Sequence, residues 1–180
     1  MNIHQNQTNI RKLLKEGMRK SATTGKNKAV YFPGCYIISQ DLKTSLYKLG
    51  EAHGEGGLFT RITHQYKICM PLKNSQFYLH YIVICPREQE NGENYSHIME
   101  TALKNTIASP VEDSYSVEYI FNKDVNFTEE RTVECLTNNR EYFRIAIKFN
   151  KNNFQLFGDD QFEEKLYDFD ELSSLEILES

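Results

Sequence analysis

The chain has 180 residues and a mass of 21.1 kDa, the size of one domain with a short appendage. Its 39% hydrophobic and 26% charged residues can supply a core, which excludes a wholly disordered chain, and no run of 18 apolar residues marks a membrane-spanning helix. The net charge of −4 conceals a gradient, because residues 1–30 carry +6 and residues 159–180 carry −8. A basic arm can hold a polyanion, and an acidic tail can repel one or cover the site that would bind it; two solvated termini of opposite sign is the plainer alternative. Three segments are expected: a basic arm with a short helix (1–28), an α+β domain (29–150) and an acidic extension (151–180).

Within the arm, Ile10, Leu13, Leu14 and Met18 fall at helical spacing among lysines and arginines, followed by a small polar linker. Such a helix fits nucleic acid, an anionic surface, a partner's groove or its own domain. Cys35, Tyr36, Ile37 and Ile38 read as a strand opened by Pro33-Gly34, and residues 46–49 as a second strand joined to it as an antiparallel hairpin. Gly50, Gly54, Gly56 and Gly57 mark a loop. Leu58, Phe59, Ile62 and Tyr66 then share one helical face, and residues 77–85 form an apolar run fit for a strand buried on both sides. Residues 95–107 are the strongest helix, with Ile98, Met99, Ala102, Leu103, Thr106 and Ile107 as its buried stripe.

Residues 116–121 read equally as a strand or a helix start. Residues 128–136 read as a helix with Glu129 and Glu130 in its first turn, where they would complement the helix dipole. Phe143, Ile145, Ile147 and Phe149 alternate with Arg144, Ala146 and Lys148 as a half-buried strand. The order β-β-α-β-α, then α-β, predicts an α+β fold: a small antiparallel or mixed sheet flanked by helices, with an extra C-terminal α-β element. The acidic segment also carries Phe162, Leu166, Tyr167, Phe169, Leu172, Leu175, Ile177 and Leu178, enough apolar surface to dock on its own domain or on a partner.

Gly34-Cys35-Tyr36, Lys48-Leu49-Gly50, Leu58-Phe59-Thr60-Arg61, Tyr81-Ile82-Val83-Ile84 and Ile98-Met99-Glu100 occur in that order. This ordered set resembles the GIY-YIG nuclease family, in its phage and large-DNA-virus branch. Glu118-Tyr119-Ile120-Phe121 is similar to the Glu-aromatic-x-Phe element that follows in that branch. The resemblance implies a magnesium-dependent DNA endonuclease that hydrolyses phosphodiesters. Carried over, Tyr36 positions the attacking water, Arg61 clamps the phosphate, Glu100 binds Mg2+ and His64 is an auxiliary acid or base. Arg11, Lys12, Lys15, Arg19 and Lys20 then grip the DNA backbone.

Lys48 stands where the second tyrosine of the name motif would be. A lysine acts as a general base only if its pKa falls by several units from about 10.4, and otherwise it is a phosphate-binding cation. Tyr47 is adjacent, but strand alternation turns it to the other face. The loop after the motif, residues 51–57, brings two acids and His53 beside the expected phosphate site. Taken alone, Glu100 with Lys104 is an i,i+4 pair on a solvated face. His53, His80 and His97 show no metal-ligand spacing, His80 reads as a hydrogen-bonded core residue, and Cys35 and Cys85 read as small core residues.

The alternative implied by the same resemblance is a catalytically inactive member of the fold. It would be a structural or interaction protein, such as a minor capsid component of a large DNA virus particle, meeting protein partners through its charged termini. The first long apolar stretch begins near Phe77, so no signal peptide is expected. Cys35, Cys69, Cys85 and Cys135 lie 34, 16 and 50 positions apart, which fits neither a zinc ribbon nor a disulfide framework. A reducing intracellular compartment (cytoplasm or nucleus), or a virion, is the expected location.

Overall fold

A computed structural model describes residues 33–39, 46–53, 57–58, 61, 78–86, 92–107, 119–121 and 125–174. In chain order these form β1 (Gly34–Ser39), β2 (Leu46–Ala52), β3 (Tyr78–Ile84), α1 (Tyr95–Ile107), β4 (Tyr119–Phe121), α2 (Val125–Asn138), β5 (Ile145–Phe149), β6 (Asn153–Leu156) and β7 (Tyr167–Asp168). Short 3-10 turns cover Arg140–Tyr142 and Phe169–Ser174. The seven strands make one sheet in the order β4-β2-β1-β3-β5-β6-β7, and every neighbouring pair is antiparallel. The α+β architecture expected from the sequence is the one observed.

Strand alternation divides the core into two layers. On the first face lie Tyr36, Ile38, Ala52, Ile82, Ile84, Ile145, Ile147, Phe154 and Leu156, with Leu58 and Phe169 packed over them. On the second face Cys35, Ile37, Tyr47, Leu49, Tyr81 and Val83 meet Met99, Leu103 and Ile107 of α1 and Cys135 and Leu136 of α2. β3 lies between β1 and β5, and its Leu79, Tyr81, Ile82, Val83 and Ile84 are buried because both faces of the sheet are covered there. Each such side chain contributes about 1.5–3 kcal/mol relative to exposure.

The β1–β3 register shifts between Ile37 and Ile38: Ile37 pairs with Tyr81 but Ile38 with Leu79, which leaves His80 as the extra residue of a bulge. His80 then packs edge-on against Tyr47, with ring centroids 5.3 Å apart.

Several boundaries differ from expectation. β2 runs to Ala52, so Gly50 and Glu51 belong to the strand rather than to the loop after it. Gly50 is paired with Tyr36 and is glycine for space, not for turning. The ambiguous 116–121 segment resolves as β4, paired to β2. α2 begins at Val125, which moves Glu129 and Glu130 out of its first turn and removes their dipole role; Glu129 instead pairs with Lys148 at 3.3 Å. β5 is covered on both faces rather than half-buried, because Ala146 lies inside the second layer. Residues after 150, expected to form an acidic extension, add β6 and β7 to the same sheet. Phe169 docks on Phe149 and Phe162 on Tyr81, while Leu166 remains 54% exposed. The expected helix at 9–20 and the arm residues Arg11, Lys12, Lys15, Arg19 and Lys20 lie outside the described residues.

Candidate metal centre

The two motif glycines are both fixed by close approach. A Cβ on Gly34 would collide with the Val83 carbonyl oxygen and crowd Leu58, and one on Gly50 would overlap the Tyr36 phenol. Register places Tyr36 opposite Gly50 and Ile38 opposite Lys48, so Tyr36, Lys48 and Gly50 share the first face. Tyr36 and Lys48 are each 1% exposed. Tyr47 lies in the opposite layer, as alternation requires.

Arg61 is helical and exposed, one turn beyond Leu58. His64 lies outside the described residues. Glu100 is on α1, the helix that covers the second face, so the sheet stands between its layer and that of Tyr36 and Lys48. The structure thus puts Tyr36 and Lys48 on one face of the sheet and Glu100 on the helix that covers the other.

The group that includes Glu100 forms where the end of β2 meets the first turns of α1. Asn94 precedes the helix, and the His97 backbone N–H donates both to its Oδ1 at 3.3 Å and to its backbone carbonyl at 3.1 Å, which fixes the helix start. The thiol of Cys35 donates to the Ser96 carbonyl at 3.1 Å and ties β1 to the same turn. Burial, with Cys85 beside it, pushes that thiol's pKa up, which keeps it a protonated packing group rather than a nucleophile. Among the described residues, the buried phenol oxygen of Tyr81 has no hydrogen-bond partner, and burial pushes its pKa up.

Glu51 leaves β2 on the second face and reaches this helix start. Its Oε1 lies 3.2 Å from Nδ1 of His97, and its Oε2 lies 3.3 Å from the Ser96 hydroxyl and 3.7 Å from Nδ1 of His53. The Ser96 hydroxyl also donates to Asn94 Oδ1, so its one proton serves two acceptors. Glu100 approaches His97 Nδ1 at 3.8 Å and holds Lys104 at 3.2 Å through its other oxygen. One ligand atom from each of Glu51, His97 and Glu100 lies within 4.8 Å of the others. Two carboxylate oxygens and an imidazole nitrogen are donors a divalent ion can take, and Lys104 offsets part of the charge of Glu100.

The expected Glu100–Lys104 pair is present, but Glu100 also faces His97 and Glu51. Sequence reasoning places Glu51 in a loop beside the expected phosphate site without making it a ligand, and finds no ligand spacing at His97. The signal was in the sequence: His97 and Glu100 are three residues apart on a helix, which puts both on one face. What it could not supply was the third donor, 46 residues earlier than His97 and brought in by the sheet.

Comparison of the chain with protein-family models, with curated proteins and with solved structures finds no match. Among the described residues no helix is long and apolar enough to cross a membrane.

Proposed function

We propose that this protein is a GIY-YIG-like, divalent-metal-dependent hydrolase of DNA phosphodiesters, with its reacting centre at the junction of β2 and α1. The observation that carries this reading is the meeting of Glu100, the acid that the motif order marks as metal ligand, with Glu51 and His97 within 4.8 Å. The ordered motifs and the +6 charge of residues 1–30 add support for a polyanionic substrate.

In this reading Glu51, His97 and Glu100 would hold the cation, which when bound would supply Lewis-acid neutralisation of charge on the phosphate. Ser96 and Asn94 orient Glu51 from the helix start, and Lys104 orients Glu100 from the outer side. His53, with its Nδ1 3.7 Å from Glu51, is the exposed imidazole that accepts the proton of the attacking water. The motif order, rather than a contact with the three donors, assigns Arg61 the role of binding a non-bridging phosphate oxygen. Tyr36 and Lys48 build the hairpin beneath rather than touching substrate. The test is nicking of supercoiled plasmid by the purified chain: cutting is expected with Mn2+ or Mg2+, stopped by EDTA and abolished by Arg61→Ala while the fold persists. A chain that cuts equally well in EDTA contradicts the reading.

One observation favours a second reading, in which the fold is kept for assembly and catalysis is lost. The two positions whose family counterparts act on the attacking water, Tyr36 and Lys48, are both buried. A folded chain that binds DNA or other protein but cuts nothing with any divalent ion would establish this alternative.

A further inference from the structure

We infer that Glu51, His97 and Glu100 form a centre for a first-row transition metal, Zn2+ or Mn2+ in preference to Mg2+, which clamps β2 to the start of α1. This deepens the hydrolase reading, and rests on it for what the metal would do, by naming the metal class of the same site.

The donor set decides the class. Magnesium prefers an all-oxygen octahedron and keeps much of its water, whereas an imidazole nitrogen beside two carboxylates suits Zn2+ and Mn2+. Donor exposure is graded in a way that suits entry from solvent. The His97 side chain is 65% exposed, while the Glu51 and Glu100 side chains, at 18% and 12%, are held in place. The anchoring is already built: Ser96, fully buried, presents its hydroxyl to Glu51, and Lys104 holds the far oxygen of Glu100. Such outer contacts fix ligand orientation before the ion arrives. His97 Nδ1 stands near both carboxylates, so one ion can reach that nitrogen and an oxygen of each acid. Coordination by the imidazole would join residues 46 and 49 positions apart in sequence, so binding should stabilise the fold by linkage.

Calorimetric titration of the full chain with ZnCl2, MnCl2 and MgCl2 tests this directly, with thermal melts alongside. One ion per chain is expected, Zn2+ and Mn2+ each binding at least about tenfold tighter than Mg2+. Saturating Zn2+ should raise Tm by about 5 °C. Glu51→Gln and Glu100→Gln should each weaken Zn2+ binding at least about tenfold, and His97→Gln should erase the preference over Mg2+, with circular dichroism unchanged. Failure of Zn2+ and Mn2+ to saturate overturns the inference, as does binding that Glu51→Gln and His97→Gln leave intact, since the ion would then sit elsewhere. Saturable binding without DNA cutting upholds the metal centre and sinks the hydrolase. Cutting with Mg2+ that His97→Gln does not alter does the reverse.

Discussion

The phenol of Tyr36 lies directly over Gly50, its register partner on the neighbouring strand, in the space a Cβ at that position would need. The tyrosine of the first motif and the glycine of the second are therefore one packing unit. Gly50→Ala should force the buried ring to move and cost about 1–3 kcal/mol. In a Tyr36→Ala background the same substitution should cost much less, because the clash is gone. Urea denaturation of the four proteins of this cycle reads the coupling directly.

A second expectation concerns acid stability. Burial in β3 lowers the pKa of His80 from 6.5 to about 4, so the folded chain keeps the imidazole neutral where the unfolded chain protonates it. The unfolded state then binds the extra proton between pH 6.5 and about 4. Stability from this source is full above pH 6.5 and falls as pH drops toward 4, by up to about 3 kcal/mol. Denaturant midpoints measured at pH 7 and near the lower limit should fall less for His80→Gln than for the parent chain. Equal falls would remove His80 from the account.

The segment after residue 150 is expected to be integral to the sheet rather than an appendage. Phe154 is fully buried, stacked on Tyr167 at 5.2 Å and tilted against Phe149 at 6.2 Å. Phe154→Ala should cost about 3–5 kcal/mol by transfer and cavity terms together. Leu166→Ala, at a largely exposed position, should change stability by less than about 0.5 kcal/mol. Thermal melts of the two variants distinguish a structural strand from a loose tail.

Much of this architecture was legible in residue patterns. The helix at 95–107 was read to the residue, because its apolar stripe is strict and a proline follows three positions on. β1 and β3 were found within a residue or two of their ends from continuous apolar runs. β2 was cut short because glycine ordinarily ends a strand, and nothing local shows that Gly50 is needed beneath a tyrosine 14 positions earlier. β6 is hidden by the polar run Asn150-Lys151-Asn152-Asn153 before Phe154, which reads as a turn, and β7 by the acids that crowd Tyr167 and Phe169. The site followed the same rule. His97 and Glu100 share a helix face and were within reach of sequence reasoning, whereas Glu51 joins them only through tertiary structure.

The most direct test of the account is the rate at which Glu100→Ala nicks supercoiled DNA relative to the parent chain, in Mn2+ and at matched folded content. Loss of a charge-stabilising group of this kind ordinarily costs about 100-fold or more, and a fall of that size is the result expected. Cutting by Glu100→Ala at the parent rate would contradict the placement of the reacting centre, and a parent chain that cuts no DNA would contradict the hydrolase itself.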